Sequence, residues 1–308
     1  MSATSAPATT SATERRQPQR GRFRKSRRAS ERITILGAGV DLVRPEEVMH
    51  HVEAAIDEGR PFLVANHNAH SLYLIRRQPE LRTFFAAADI VEVDSTPVIA
   101  FARLLGLHSR PFHRCTYLDW REHFWSLANR KGWRVFYLGG APGVADEAAR
   151  RLSARYPDVQ FGTRDGYFDM SPGSAVNLDI LAQIERFGPH VLFVGMGMPR
   201  QEQWIAENRQ ALPACAVFSV GAAFDYEADL QRAAPRWMGR AGIEWLFRLC
   251  ADPRRLAHRY CVEPLFLLRP ALRDVARAVA ERRFLKQPGA GVGPGRPSCS
   301  VPRSSGSD

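Results

Sequence analysis

The sequence predicts an α/β fold in which a mainly parallel sheet is flanked by helices and followed by a basic helical appendage. Two observations carry this prediction. Short apolar runs rich in β-branched residues alternate with helical stretches of about 10–15 residues, which is typical of strand–helix–strand units with right-handed crossovers. From Pro235 onward no further strand pattern occurs, and the chain becomes rich in arginine and helical in character.

The predicted elements follow one another in a regular order from Ile33. The first strand is ITIL, the helix PEEVMHHVEAAIDEG begins with a proline that suits a first helical turn, and the second strand is FLVAN. A helical stretch interrupted by proline, SLYLIRRQPELRTFFAAA, leads to the short strand IVEV and to the helices PVIAFARLLG and DWREHFWSLANRKG. Helices then separate the strands WRVFYLGG, VQFG, HVLFVG and CAVFSVG. This order predicts a Rossmann-like body.

Composition divides the chain into four parts. Residues 1–31 are poor in large apolar side chains and are expected to form a disordered basic arm, and residues 287–308 are expected to form a disordered tail rich in proline, glycine and serine. Between these segments we expect an α/β body over residues 32–234 and a helical, membrane-proximal appendage over residues 235–286.

Charge and cysteine content narrow the choice of partners and compartment. The chain has 308 residues, a formal net charge of +11 and an isoelectric point of about 10.0, which favours nucleotide sugars, acidic lipid headgroups or nucleic acid as partners. Its five cysteines are scattered without a CxxC pair, which argues against a disulfide framework and a structural zinc site. No apolar run reaches the ~18 residues of a spanning helix, and no hydrophobic signal core occurs at the N-terminus. We therefore expect a cytosolic protein.

A glycine turn joins the strand VFYL to the helix VADEAARRL. Gly139, Gly140 and Gly143 would allow close approach of a ligand, and the exposed amides of the helix start attract phosphate. A plain tight turn without a ligand explains the same residues equally well. The spacing does not match GxGxxG, and no Gly-Lys-Ser/Thr sequence occurs, so nicotinamide binding is disfavoured and P-loop nucleotide hydrolysis is excluded.

Three aspartates follow predicted strands. Asp94 ends IVEV, where a carboxylate would face the crevice of the sheet and could take a proton from an attacking hydroxyl. The alternative is that Asp94 or Ser95 caps the helix that begins with Thr-Pro. Asp165 in GTRDGYF and Asp225 in VGAAFDYEA occupy similar positions, with turn formation as the competing interpretation.

Amide and acidic side chains follow two other strands. Asn66 and Asn68 come after FLVA, where amides suit sugar hydroxyls or a nucleobase. Gln201 and Glu202 lie on the first turn of the helix that follows VLFVG and can orient a nucleoside or a sugar in the crevice.

The predicted appendage combines arginines with aromatic residues and leucines. Such an amphipathic pattern suits an acidic membrane surface, to which each basic residue contributes about 1 kcal/mol. The alternative is a helical hairpin on the body with a solvated arginine face. The arginines expected to contact a membrane or a diphosphate are Arg240, Arg248, Arg254, Arg255 and Arg259, and Arg232 is a further candidate for the diphosphate. No HExxH pattern and no DxD after a strand occurs, so neither a metal nor a cofactor is expected.

A series of separate motifs runs from roughly Ile33 to Leu268. They are GAGVDL, NHN, VDSTPV, VFYLGGAPGVADEAARRL, GTRDGYF, FVGMGMPRQEQWIAENR, VGAAFDY, AAPRWMGRAGIEWLFRL and DPRRLAHRY. These motifs resemble those of the WecG/TagA/CpsF family of bacterial glycosyltransferases and occur in the family's order, with VDSTPV in place of the family's usual Asp-Gly turn. Agreement over so many blocks makes the resemblance specific.

The resemblance implies an inverting, metal-independent hexosyl transfer from a UDP-sugar to a polyprenyl-diphosphate-linked saccharide during cell-surface polysaccharide or exopolysaccharide synthesis. It implies that Asp94 deprotonates the acceptor hydroxyl and that Asn68 lies in the same pocket. The basic helices would meet an anionic membrane and supply arginines to the nucleotide's diphosphate. The expected location is peripheral, on the inner face of the bacterial plasma membrane, with a homo-oligomer left open.

The chain departs from the family pattern at several positions. Asn66 stands in place of a threonine, Ser95 and Tyr117 stand in place of glycines, Asp229 occupies a position where glycine is common, and the RAP element reads Arg232-Ala233-Ala234-Pro235. These positions surround the expected sugar pocket, so a glucosyl or glucuronosyl donor is as compatible as an N-acetylmannosaminyl donor.

Two other functions stay open from the sequence. They are a basic nucleic-acid-binding protein and a nucleotide-dependent oxidoreductase. The regular glycine-ended strands favour an enzyme, and no nucleic acid partner is expected.

Overall fold

The computed structural model describes residues 32–231, 234–235, 238 and 242–286, and the side chains of Arg255 and residues 281–286 are outside the described set. The predicted disordered arm over residues 1–31 and the predicted tail over residues 287–308 lie outside the described residues. The predicted boundary between body and appendage therefore stays a prediction.

The described part of the chain contains eight strands. They are β1 (Ile33–Ile35), β2 (Ala38–Val40), β3 (Phe62–His67), β4 (Ile90–Val93), β5 (Arg134–Gly139), β6 (Gln160–Arg164), β7 (Val191–Gly195) and β8 (Ala216–Ser219).

The α-helices of the described residues surround these strands. They are α1 (Pro45–Asp57), α2 (Ala69–Arg77), α3 (Leu81–Ala87), α4 (Thr96–Leu104), α5 (Tyr117–Lys131), α6 (Val144–Arg155), α7 (Ala175–Phe187), α8 (Arg200–Asn208), α9 (Ala223–Glu227), α10 (Glu244–Ala251), α11 (Pro253–Ala257) and α12 (Leu268–Lys286). A π-helical segment (His258–Val262) and a 3₁₀-helix (Glu263–Leu267) connect α11 to α12, and short 3₁₀ turns lie at Pro111–His113 and Arg209–Ala211.

Six strands form one all-parallel sheet, which confirms the predicted fold class. Their order is β4-β3-β8-β7-β5-β6. The chain moves outward from β3 to β4 and then crosses to β5 on the other side of the sheet. Such a reversal opens a crevice at the carboxyl ends of the central strands, where ligands of α/β proteins bind.

The strand predicted for ITIL exists but does not join this sheet. It pairs with β2 in an antiparallel hairpin, with Ile33 opposite Val40. The tight turn through Leu36 and Gly37, both with positive φ, brings the two strands back on each other. The hairpin adjoins β4, where the Asp41 amide donates to the Val91 carbonyl at 2.9 Å. The sequence pattern indicated a strand but could not tell its partner.

The sheet carries one apolar layer on each face. Alternate residues of a strand point to opposite faces, so Leu192 and Val194 pack on one side and Val191 and Phe193 on the other. Helices α2, α3, α4, α7 and α8 cover the first face, and α1, α5, α6 and α9 cover the second. Burial on both faces explains why the strands read as nearly continuous apolar runs.

The C-terminal helices fold back onto the body at the carboxyl edge of the sheet. Residues 242–286 are here called the appendage. The Asp274 carboxylate accepts a hydrogen bond from the Leu36 amide at 2.6 Å, and the Arg114 guanidinium donates to the Glu244 carboxylate at 3.0 Å. Within the described residues, no helix is both long and apolar enough to cross a lipid bilayer.

The glycine that ends β5 is required by close strand packing. A Cβ atom on Gly139 would overlap the backbone of Gly195, the last residue of the neighbouring β7, whereas a Cβ on Gly143 would meet open space. We expect Gly139→Ala to lower the free energy of unfolding by about 3 kcal/mol or more, because backbone atoms cannot move aside as a flexible side chain would.

The matched control for this substitution is Gly143→Ala. It carries only the conformational cost of a positive φ, about 1–2 kcal/mol. Chemical denaturation of both variants provides the comparison. Equal losses in the two variants would contradict the proposed overlap.

Candidate active site

Two adjoining cavities lie at the carboxyl edge of the sheet, between the body and the appendage. Their volumes are about 410 and about 320 Å³. Residues that line both cavities include Asn68, His70, Asp94, Arg114, Arg248 and Arg259, and these six are here called the shared wall. The cavities therefore form one cleft with two chambers, and a group bound at the shared wall is accessible from each.

The two chambers differ in chemical character. The larger one, here the apolar chamber, is lined mainly by aliphatic and aromatic side chains from the turn after β1, from α4 and from the appendage: Leu36, Pro97, Val98, Phe101, Leu267 and Leu268. The smaller one, here the polar chamber, has more polar groups in its lining. They come from β3, β4, α8, the residue before α5, and the end of β8 with the turn after it: Asn66, Glu92, Thr116, Gln201, Ser219 and Gly221.

The two asparagines after β3 lie at the cleft. Asn68 caps α2, because its side-chain oxygen accepts a hydrogen bond from the Ser71 amide at 3.0 Å. Asn66 donates to the carbonyl of Cys115 at 3.4 Å and hydrogen-bonds the Glu92 carboxyl. Both predicted binding asparagines thus line the polar chamber, and Asn68 also reaches the apolar one.

The structure separates the two roles that the sequence left open for Asp94 and Ser95. Ser95 caps α4 by accepting a hydrogen bond from the Val98 amide at 3.4 Å. The backbone amide of Asp94 donates a hydrogen bond to the carbonyl of His67 at 2.8 Å. Its side chain lines both chambers. Burial raises the pKa of Asp94, and the nearby Arg248 and Arg114 oppose that shift. The carboxyl group is therefore available to the cleft as an acceptor of protons.

Guanidinium groups from distant parts of the chain meet beside Asp94. Arg114 follows α4 and is held at the sheet by a bridge to Val93, while Arg248 comes from α10. Both bind the same carboxylate, Glu244, at 3.0 and 2.5 Å. Burial disfavours the charge of Glu244, but Arg248 and Arg114 outweigh it, so the pKa of Glu244 lies below its usual value. This pairing fixes two cations at the shared wall.

Gln201 is held rigidly at the polar chamber. Its side-chain oxygen accepts a hydrogen bond from the Gly221 amide at 3.0 Å, and its side-chain nitrogen donates to Glu202 at 2.7 Å. Glu202 is buried behind Gln201 and lines neither chamber, and burial raises the pKa of Glu202 to about 7. The structure thus brings Gln201 to the cleft and assigns Glu202 the position of its support.

The predicted glycines and the two other predicted aspartates do not line either chamber. Gly139 and Gly140 end β5 farther along the sheet edge, where the Gly140 amide donates to the Gly195 carbonyl at 3.1 Å. Asp165 accepts a hydrogen bond from the Tyr167 amide at 3.1 Å, which is the turn interaction that the sequence left open. Asp225 lies in α9, next to a tyrosine that lines the polar chamber.

The predicted arginines divide into three groups. Arg248 and Arg259 belong to the shared wall. Arg254 is exposed and lines neither chamber, and nothing is described of the Arg255 side chain. Arg232 and Arg240 lie outside the described residues.

The sequence interpretation missed several residues of the cleft. Arg114, Glu92 and His70 line it, as do Glu244 and Tyr260 of the appendage. Glu92 had a recognisable signal, because it lies in the predicted strand IVEV two positions before Asp94, and residues two apart in an extended segment point the same way. The Cys115 thiol donates to the Glu92 carboxylate at 3.1 Å, and burial raises the pKa of Glu92 to about 7.

In the described part of the chain, no group of three or more His, Cys, Asp or Glu side chains is arranged to hold a metal ion.

Comparison with known proteins gives a match over most of the chain. The model of the "Glycosyl transferase WecG/TagA/CpsF family" matches residues 33–280. Proteins of Staphylococcus aureus strains MRSA252, NCTC 8325 / PS 47 and COL are each 24% identical over 258 residues, which cover 80% of this chain and 95% of each relative. Each is named N-acetylglucosaminyldiphosphoundecaprenol N-acetyl-beta-D-mannosaminyltransferase.

Proposed function

Since the chain belongs to the WecG/TagA/CpsF family and is a glycosyltransferase, we propose that it moves a sugar from a UDP-sugar to a polyprenyl-diphosphate-linked saccharide, with inversion at the anomeric carbon. The observation that carries this proposal is the joining of a polar and an apolar chamber at one wall that holds Asp94 and three arginines. A nucleotide sugar suits the first chamber and a lipid-linked acceptor suits the second.

The donor is assigned to the polar chamber. Asn66 and Gln201 offer amide groups to the hydroxyls of the sugar or to the nucleoside, and Gln201 is fixed in place by Gly221 and Glu202. The glycine turn at Gly139 lies outside both chambers, so we assign the diphosphate to the guanidinium groups of the shared wall instead. Roles for Asp165 and Asp225 toward the sugar stay predictions.

The acceptor is assigned to the apolar chamber. The relatives are named for transfer to N-acetylglucosaminyldiphosphoundecaprenol, a saccharide on a long apolar lipid. A chamber with aliphatic walls that ends at cationic side chains complements a lipid that ends in a diphosphate. The same chemistry supports a role in the synthesis of a cell-surface polysaccharide or an exopolysaccharide.

Transfer is proposed to occur in a single displacement. The Asp94 carboxylate takes the proton of the acceptor hydroxyl while that oxygen attacks the anomeric carbon. The bond from this carbon to the diphosphate oxygen breaks, and UDP leaves from the opposite face of the sugar. Arg114, Arg248 and Arg259 stabilise the negative charge that develops on the leaving diphosphate. The chemistry requires no bound metal in this scheme.

The identity of the donor sugar depends on positions where the chain departs from its family. Asn66 and Tyr117 line the polar chamber, to which we assign the donor, whereas Ser95 lines the apolar chamber assigned to the acceptor. Glucosyl, glucuronosyl and N-acetylmannosaminyl donors are therefore all retained as candidates.

The decisive experiment is a transfer assay. The protein is incubated with a panel of UDP-sugars and an N-acetylglucosaminyl-diphosphate lipid, and the products are weighed by mass spectrometry. A product heavier by one sugar residue is expected with at least one donor. Failure of every donor, with UDP-sugar binding also absent in calorimetry, would contradict the proposal.

The nucleic-acid-binding and oxidoreductase functions gain no support from the family.

A peripheral position on the inner face of the plasma membrane is proposed for the appendage. Leu272, Val275 and Val279 form an exposed apolar stripe along α12, and Leu265 is exposed in the preceding 3₁₀-helix. Exposed arginines at positions 269, 273 and 277 form an adjacent basic row on the same helix. Apolar and basic rows side by side suit the headgroup region of an anionic bilayer.

We expect the double substitution Leu265→Asp and Leu272→Asp to abolish sedimentation with anionic vesicles. These side chains are 60% and 70% exposed, so the loss would arise from the bilayer contact and not from the core. The control is Leu178→Asp on α7 of the body, at a side chain that is 54% exposed. If both variants sediment with the vesicles to the same extent as the wild-type protein, the proposed contact is refuted.

A homo-oligomer stays a prediction.

A further inference from the structure

A histidine and a glutamate from opposite sides of the cleft meet at the shared wall. His70 lies on the first turn of α2 and lines both chambers. Its Nδ1 is 2.7 Å from the carboxylate of Glu263, which belongs to the appendage. The Glu263 side chain is only 6% exposed, and its other oxygen lies 3.5 Å from His258. Nothing in the proposed transfer step uses this pair.

The contact determines what each ring nitrogen of His70 can do. A carboxylate accepts hydrogen bonds only, so Nδ1 carries the proton that it shares with Glu263. In the neutral ring, Nε2 is then the unprotonated nitrogen. When Nε2 also takes a proton, the ring becomes a cation whose charge Glu263 partly balances. The pair can therefore carry a proton on Nε2, and that N–H can donate a hydrogen bond to an anionic group.

The cleft around His70 is built for an anion. The appendage presents Glu263, His258, Arg259 and Tyr260 around it, and Tyr73 stacks on its ring from within α2. Across the shared wall lie the carboxylates of Asp94 and Glu244 and the guanidinium groups of Arg114 and Arg248, and Arg114 also pairs with Asp119 at 3.3 Å. A further positive charge on His70, which lies beside Arg259 and on a first helical turn where the helix dipole is positive, is favoured by an anion bound in the cleft.

We propose that His70, oriented by Glu263, donates a hydrogen bond from Nε2 to a substrate diphosphate and takes up a proton when that diphosphate enters the cleft. This inference rests on the proposed glycosyl transfer. The diphosphate belongs either to the UDP-sugar or to the lipid-linked acceptor, because His70 lines both chambers.

The pH dependence follows from this arrangement. Burial lowers the pKa of His70 in the free protein, against the opposing hydrogen bond to Glu263. A bound diphosphate raises that pKa, so binding takes up a proton. Affinity is then greatest below the free pKa and is lost as the pH rises through the raised pKa of the complex. Between the two values the dissociation constant is expected to rise up to about tenfold per pH unit.

The experiment measures the dissociation constant by calorimetry from about pH 5.5 to about pH 8.5, the range in which histidine titrates. Two probes distinguish the sources of the diphosphate: UDP-N-acetylglucosamine, and N-acetylglucosamine joined through a diphosphate to a short isoprenyl chain. Both are diphosphate diesters, which do not change protonation in this range. His70→Gln and Glu263→Gln are compared with the wild-type protein, and His123→Gln is the matched control, since His123 is an exposed residue of α5 that lines neither chamber.

We expect the wild-type protein and His123→Gln to bind one of the probes more weakly as the pH rises, and His70→Gln to bind it with a flat profile. Glu263→Gln should reduce the slope. The probe that shows the slope identifies the diphosphate bound by His70. Nuclear magnetic resonance of the His70 ring in the unaltered protein gives a second measurement, in which the midpoint of titration moves upward with saturating probe.

Two results would overturn this inference. If both probes bind but the slope persists unchanged in His70→Gln, or the His70 ring titrates at the same pH with and without probe, the histidine does not hold the proton and glycosyl transfer still stands. If neither probe binds to the wild-type protein, both the inference and the proposed function fail.

Discussion

Asp94→Asn is expected to lower the rate of glycosyl transfer by ~10²- to 10⁴-fold while the affinity for the UDP-sugar stays nearly unchanged. That range is the usual contribution of a general base, and an amide keeps the shape of the side chain but cannot accept the proton of the acceptor hydroxyl. The backbone contact of Asp94 with His67 and the cap provided by Ser95 are unaffected by the change. The fold of the loop should therefore persist.

The matched control for Asp94 is Glu92→Gln. Glu92 lies on β4, two positions before Asp94, and lines the polar chamber. Burial raises the pKa of Glu92 to about 7, so an amide resembles the protonated form that is well populated near neutrality. We expect a far smaller loss of rate in this variant. Rates are measured with saturating donor, and donor affinity by calorimetry. Near-wild-type turnover of Asp94→Asn would remove Asp94 from the role of base.

The pH profile provides a third measurement on Asp94. Only the ionised carboxylate can accept a proton, so the rate of transfer is expected to fall as the pH decreases through the pKa of Asp94. Because burial raises that pKa, the fall should begin at a higher pH than for an exposed aspartate. The Glu92→Gln variant isolates this decline from the titration of the neighbouring carboxyl group.

Arg248→Ala is expected to reduce the transfer rate by ~10²- to 10³-fold, the usual effect of removing one group that stabilises charge in a transition state. Arg248 lies at the shared wall and pairs with Glu244 at 2.5 Å. Its charge also opposes the rise in the pKa of Asp94 that burial causes. Its removal takes one cation from the leaving diphosphate and leaves Asp94 with less stabilisation of its charged form. Donor affinity should also decrease.

Two further variants test this account of Arg248. Arg248→Lys keeps the charge but loses the fork of donors that reaches both a carboxylate and a diphosphate, so we expect an intermediate loss. Arg254→Ala removes an exposed arginine that lines neither chamber, and transfer to a soluble short-chain acceptor should be retained. Equal rates for Arg248→Ala and Arg254→Ala would contradict the role assigned to the shared wall.

The sequence predicted the sheet well because the signals of strands and helices are local. Apolar runs buried on both faces mark β5, β7 and β8, and a proline or a glycine marks many of the helix ends. The position of Asp94 at the end of β4 was predictable for the same reason. The motifs shared with the glycosyltransferase family are also local, so the sequence alone was enough to identify the family.

The partner of each strand and the partner of each charge were not predictable in this way. The strand at Ile33 turned back into a hairpin, and Gly139 proved to be required by the backbone of Gly195, which is 56 positions away in the sequence. Both outcomes depend on which strands become neighbours. Alternation along a single strand carries no information about that choice.

The sequence by itself determined the fold class, the family and the carboxylate at the end of β4, because each depends on patterns of residues that are close together in the chain. Only the tertiary structure decided which cations surround that carboxylate. Arg114 and Glu244 are 130 positions apart, and His70 and Glu263 are 193 positions apart. Their contacts exist because the appendage folds back over the carboxyl edge of the sheet, and the free energy of that long-range packing is not encoded in any local pattern.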